Sequence, residues 1–274
     1  MKLNDRVALI TGAGRGIGKA IALAFAREGA SIIAVSRTEK EITDTAREVE
    51  SFGRAAVPLR CNVSIWEEVE GMVEKALRKM GRIDILVNNA GIQKAIGPLS
   101  ENDPTSWIET IQTNLIGTFL CTRAVLPHMI RRSCGKIINV AGGGAISPRP
   151  NFTAYGCSKA AIVRLTETLA MEVKSYRIQV NAMSPGGVST RMNEEVLAAG
   201  SIAGDEALAW ASRVKKDGSS PQPAAELALF LASDESNGLT GRLLMASDDW
   251  KALANRIDQI MATDLYAMRR ITKI

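Results

Sequence analysis

The sequence predicts an α/β chain, a doubly wound parallel sheet with helices on both faces and a helical extension at the C-terminus. Three observations carry that expectation. Short β-rich runs alternate with helical patterns along most of the chain, as in a succession of βαβ units. The runs are apolar throughout, as in Ala8-Leu9-Ile10 and Ile83-Asp84-Ile85-Leu86-Val87, which marks strands covered on both sides. The first run also leads straight into a glycine cluster and then a helical pattern.

The elements follow in order. Residues 6–11 form a buried strand, and 17–28 a helix that stops at Gly29. A second strand at 31–36 precedes a polar-faced helix at 39–52. Residues 55–61 are a third strand. Residues 64–80 are a helix, with Ser64 as N-cap and Glu67 three positions on. A fourth strand spans 84–87, and one long helix spans 104–132. Strands at 136–141, 179–184 and 242–246 complete the sheet, and another helix carries residues 155–174. Residues 188–220, with Gly and Pro punctuation, read as a mobile lid. Residues 247–274 form the extension, helical to about 261. No repeat or linker divides the chain, so 1–274 is expected to be a single domain.

Composition narrows the function. Of 274 residues 46% are hydrophobic, enough for a sizeable core, and the 23% charged are of both signs, which argues against disorder. The net charge is +5, but Lys and Arg are scattered with no basic aromatic stripe, so no nucleic-acid partner is expected. Four cysteines without a CxxC pair, and His128 alone, argue against metal and disulfides. No apolar run reaches the roughly 18 residues of a membrane span, and no signal-type run opens the chain. A soluble, cytoplasmic protein is expected.

The first strand runs into Thr11-Gly12-Ala13-Gly14-Arg15-Gly16-Ile17-Gly18. Backbone without Cβ atoms lets a pyrophosphate come close, and a helix N-terminus offers it free N–H groups. The spacing is GxxxGxG, from Gly12, Gly16 and Gly18, not GxGxxG. At a strand–helix junction it points to a dinucleotide and a Rossmann-like fold. The second strand ends at Ser36-Arg37, where an acid would hold the ribose hydroxyl of NAD. The acid is absent, and Arg37, with Arg15 nearby, suits the 2′-phosphate of NADP.

Further along stand Asn88-Asn89-Ala90-Gly91, Asn114, and Tyr155 with Lys159 four residues on. On a helix that pair shares a face, so the ammonium is expected to lower the phenol pKa and make it a usable acid–base. With TGAGRGIG and Ser184-Pro185-Gly186-Gly187, these motifs resemble the short-chain dehydrogenase/reductase family over about residues 5–245. The resemblance implies Tyr155 as proton donor or acceptor, Lys159 on the nicotinamide ribose, and Asn114 supporting a proton-relay water. It implies Asn88 at the adenine ribose and Pro185, Gly186 and Val188 along the nicotinamide, with Thr190 near its carboxamide. Ala90 and Gly91 join the cofactor wall. Asn62, beside Val63, stands where the family commonly has an Asp for adenine. It also implies a homodimer or homotetramer through the helices at 113–132 and 155–174.

Two departures stand out. The family's catalytic Ser falls at Gly142, or at Ala141 if the glycine run shifts the register, and neither has a hydroxyl. Backbone N–H groups of residues 142–144, or Ser147, are the candidate replacements. The usual C-terminal Val-Asp-Gly-Gly is also missing. The expected function is interconversion of a small-molecule ketone and secondary alcohol with NADP(H), impaired by the lost Ser. The alternatives are a non-catalytic NADP(H)-binding or regulatory protein and an engineered inactive variant.

Overall fold

In the computed structural model, which describes residues 1–218 and 220–270, seven strands form one parallel sheet of order β3-β2-β1-β4-β5-β6-β7. They are β1 Val7–Thr11, β2 Ser31–Ser36, β3 Ala56–Arg60, β4 Ile85–Asn88, β5 Gly135–Val140, β6 Ile178–Ser184 and β7 Leu243–Met245. The order reverses between β1 and β4, and the crevice beyond the carboxyl ends of strands at such a point is where open α/β sheets bind ligands.

The apolar runs divide their side chains between two cores. Ala8, Ile10, Ile32, Ala34, Ile85 and Val87 face one way. They meet α1 (Gly16–Arg27), α2 (Glu39–Glu50) and α9 (Gln222–Ala232). Leu9, Ile33, Val35 and Leu86 face the other way. There they meet α3 (Trp66–Met80), α5 (Gly117–Arg132) and the end of α6 (Thr153–Glu172). Strand alternation therefore persists inside a wholly buried sheet. Asp84, 2% exposed, ties the layers together. It accepts from the Val7 N–H at 2.8 Å and pairs with Arg82 at 2.9 Å and Arg132 at 2.6 Å.

Three expectations are corrected. Ser64 does not cap α3, which begins at Trp66 after Ile65; the Ser64 hydroxyl instead bonds Asn62 at 2.9 Å. The long helix is not uniform. It comprises α4 (Pro104–Ile111), a π-helical stretch at Gln112–Ile116, and α5. The lid is not a loop. It holds α7 (Arg191–Ala199) and α8 (Asp205–Asp217), whose Val196 and Ala211 pack on Phe152 and Tyr155. Ser219 of that lid lies outside the described residues, as do residues 271–274 of the extension.

The extension forms α10 (Trp250–Ala254) and α11 (Ile257–Met261), then returns to the sheet. Leu243 N–H donates to the Tyr266 carbonyl at 2.8 Å. Buried Glu167 on α6 accepts from the Met268 N–H at 2.6 Å and pairs with Arg269 at 3.2 Å. Met268 then packs against the cluster holding Ala141 and Ala145. Among the described residues no helix is long and apolar enough to cross a membrane, and no group of His, Cys, Asp and Glu could hold a metal.

Candidate active site

A cleft of about 1260 Å³ opens beyond the carboxyl ends of the strands. The glycine turn forms one wall, and its packing explains its composition. A Cβ at Gly18 would lie 2.2 Å from the Gly12 carbonyl oxygen, so only glycine lets α1 start this close to β1. Thr11 Oγ1 accepts from the N–H groups of Asn89 and Ala90, each at 3.0 Å, while Asn89 donates to the Thr11 carbonyl at 2.9 Å. The turn and the segment after β4 thus form one rigid rim.

Gly12, Arg15, Gly16, Ile17, Gly18, Ser36, Arg37, Asn62, Val63, Ala90 and Gly91 all line this cleft, as do Tyr155, Lys159, Pro185, Gly186, Val188 and Thr190. Arg37 is exposed and has no ion pair among the described residues. Arg15 pairs with Glu41 at 3.0 Å, and Glu41 lines the same mouth. Motif spacing does not reveal Glu41, because its position depends on how α2 packs beside the turn.

Two candidates lie elsewhere. Asn88, the last residue of β4, points into the interior and donates to Thr122 at 3.0 Å and Asn139 at 2.9 Å. The next residue has left the strand, so Asn89 faces the cleft instead. Asn114 is fully buried in the π-helical stretch. Its amide takes the Ile92 N–H at 2.8 Å and donates to the Ile92 carbonyl at 3.0 Å and to Ser158 at 3.1 Å. Those bonds brace the wall behind Gly91, where Asn114 lies near Lys159.

Tyr155 stands in the first turn of α6, 7% exposed, with Lys159 one turn on at 4%. The Lys159 ammonium donates to the Val140 carbonyl at 2.8 Å, which fixes it against the end of β5. Burial pulls its pKa down to about 8. The Tyr155 hydroxyl is pushed above its ordinary value by burial, opposed by the positive charge of Arg149. Arg149 and Lys159 stand equally near the phenol, each with its charged group 5.6 Å from the ring centre. Beside these two cations Tyr155 can exchange a proton with a substrate oxygen.

Both candidate positions for the missing hydroxyl, Ala141 and Gly142, line the cleft. Ala141 also packs with Ala145, Val163, Ala182 and Leu243. Gly142 faces Tyr155; a Cβ there would lie 2.6 Å from the phenol oxygen, at a backbone φ of 152°. The N–H groups of Gly142, Gly143 and Gly144 find no acceptor among the described residues, and all three glycines line the cleft. Ser147 does not line it.

Comparison with known proteins places the chain in a family. Residues 6–200 match the short chain dehydrogenase family. The chain is 38% identical over 247 residues to the 3-oxoacyl-[acyl-carrier-protein] reductase FabG of Thermotoga maritima, covering 89% of this chain and 97% of that one. It is 40% identical over 249 residues to the oxidoreductase UcpA of Salmonella typhimurium, covering 88% and 92%. The crystal structure of NAD+-bound xylitol dehydrogenase superposes with a TM-score of 0.84 at 31% identity, covering 89% and 98%.

Proposed function

The chain belongs to the short-chain dehydrogenase family, and on that premise we propose that it is an NADP(H)-dependent oxidoreductase interconverting a ketone and a secondary alcohol. The observation that carries the reading is the pairing, in one cleft, of the glycine rim with Tyr155 and Lys159. The family's fold is NAD(P)-binding and Rossmann-like, and its chemistry is oxidoreduction.

The residues present fit a dinucleotide. The start of α1 offers N–H groups to a pyrophosphate, in a cradle that a Cβ on Gly12 or Gly18 would fill. Asn62 and Val63 would border the adenine end, and Pro185, Gly186, Val188 and Thr190 the nicotinamide end; all line the cleft. Ser36 brings no carboxylate to the ribose, and Arg37 stands beyond it as the unpaired cation for a 2′-phosphate. Arg15 is held by Glu41 and assists only when it exchanges that partner.

The dinucleotide supplies the hydride. Tyr155 supplies or takes the proton at the substrate oxygen. Lys159, anchored on Val140, would hold the cofactor ribose. The family's seryl donor is absent, so the amides of residues 142–144 hold the substrate oxygen. Loss of one such donor costs about a hundredfold to a thousandfold in turnover, and this chain is accordingly proposed to be a slow enzyme. α7 and α8 form the lid, and a dimer or tetramer forms through α5 and α6.

Fluorescence titration with NADPH and NADH tests the cofactor. NADPH absorbance across ketones, sugars and acyl thioesters tests the chemistry. A second reading, an NADP(H)-binding protein without turnover, is favoured by the missing hydroxyl at both 141 and 142. Tight NADPH binding with no consumption across the panel would establish it.

A further inference from the structure

Deepening that reading of the site, we infer that the substrate carries a carboxylate and that Arg149, steadied by Gln93, receives it beside Tyr155. Arg149 lies in the glycine-rich loop before α6 and lines the cleft. Its guanidinium carbon stands 3.9 Å from the centre of the Phe152 ring, 5.6 Å from that of Tyr155 and 5.9 Å from that of Trp210 on the lid. The charge is thus held in an aromatic box at the reacting end of the cleft.

Its only protein hydrogen bond among the described residues runs from Nη1 to the Gln93 side-chain oxygen, at 2.8 Å. No carboxylate pairs with it among the described residues, although Glu194, Asp205 and Glu206 line the same cleft. A half-buried cation without a counter-charge is costly unless something binds there.

Gln93 supplies an independent observation. It is 3% exposed, and its side-chain nitrogen is buried with no hydrogen-bond partner. Because its oxygen is taken by Arg149, the orphan atom is an NH2 group. The guanidinium edge at the cleft is therefore unpaired, and the Gln93 amide N–H behind it is buried without a partner; both groups are donors only. A carboxylate, with its negative charge and two acceptor oxygens, answers such a pair. A neutral ligand oxygen satisfies one donor and leaves the charge unanswered. The Phe152 and Trp210 rings flank the remainder of such a ligand.

The test compares substrates that differ only in charge. NADPH consumption is measured with 4-oxopentanoate and with its primary amide, 4-oxopentanamide. Calorimetry measures binding of butanoate and butanamide without any turnover. Charge-assisted hydrogen bonds predict a kcat/KM for the acid at least about tenfold above that for the amide, expressed in KM, and a matching preference for butanoate. Arg149→Gln is expected to bring acid and amide toward parity, and Arg149→Lys to keep part of the preference. Equal rates and equal binding in the parent chain overturn the inference while leaving the oxidoreductase reading intact. Arg149-dependent butanoate binding without turnover of either ketone upholds the inference and defeats that reading. If acid and amide lose equally in Arg149→Gln, Arg149 only braces the loop and the inference fails.

Discussion

A side chain placed on Gly142 would begin 2.6 Å from the Tyr155 hydroxyl, inside van der Waals contact. The consequence runs against the simple idea that restoring a serine restores activity. Gly142→Ser must move either the phenol or a loop whose φ of 152° favours glycine. Ala141→Ser would place its hydroxyl at the cleft wall against the apolar cluster of Ala145, Val163 and Leu243. Neither substitution is expected to raise kcat. Gly142→Ser is expected to lower it about tenfold to a hundredfold, since displacements near 1 Å carry that cost. Steady-state NADPH consumption by the two variants checks this, and a tenfold gain in either would refute it.

Cofactor choice is expected to follow charge at the cleft mouth. Ser36→Asp combined with Arg37→Ala should weaken NADPH binding at least about tenfold and improve NADH, as a carboxylate meets the ribose and the phosphate loses its cation. Glu41→Gln should act oppositely. It frees Arg15 from its 3.0 Å ion pair and strengthens NADPH. Fluorescence titration of each variant reads both shifts. Equal NADH and NADPH affinity in the parent chain would remove the Arg37 assignment.

Stability should depend on pH in a defined window. Burial lowers both Lys159 and Lys136 from 10.5 to about 8. Above pH 8 the unfolded chain holds those protons and the folded chain does not, so stability rises with pH. Cys61 works against this, because burial raises its thiol from 9.0 to about 12, and Cys121 is raised as well. From about pH 9 the unfolded thiols release protons that the folded ones keep, which lowers stability. Urea unfolding should therefore show a gain between pH 8 and 9 and a plateau beyond. Lys159→Met should roughly halve the gain. A fall in stability across pH 8–9 would contradict the burial of these lysines.

Asp84 offers a structural control far from the chemistry. Its buried carboxylate serves the Val7 amide, Arg82 and Arg132. Asp84→Ala leaves the buried Val7 amide without its acceptor and the half-exposed Arg82 and Arg132 without their counter-charge, and the expected loss is about 1–3 kcal/mol. Denaturant titration measures it, and a loss below about 1 kcal/mol would show that the pair is solvated after all.

Association is expected through the helical flank. Ile108 on α4 and Phe119 on α5 are 54% and 47% exposed, an apolar exposure that a partner copy would cover. Sedimentation should give a dimer or tetramer at micromolar concentration, and Phe119→Glu should shift it toward monomer. A parent chain that sediments only as monomer removes the proposal.

The sheet and the glycine rim were legible because they depend on local pattern: apolar runs, their alternation with helices, and a turn that only glycine can make. Tyr155 and Lys159 were legible because one helical turn relates them. Asn88 was misplaced because strand faces alternate, so a shift of one residue exchanges interior for cleft. The bracing bonds of Asn114 were not legible because its partners, Ile92 and Ser158, are 22 and 44 residues away. Arg149, Gln93 and Glu41 carried no readable spacing. Their positions arise where separate loops and helices meet, which no single-window pattern records. The lid helices were hidden by Gly and Pro residues that delimit them and were read as interruptions.

The last strand of the sheet is not left bare, because Tyr266 returns to accept the Leu243 amide and Glu167 holds the chain just beyond it. An open strand margin is a template on which a neighbouring molecule can stack, in register, into larger aggregates. Here the chain supplies its own stopper. Cutting the chain before Tyr266 would uncover that margin and withdraw Met268 from beneath Ala141 and Ala145. Solubility and the shape of the loop facing the substrate would then be lost together, through one short segment of tail.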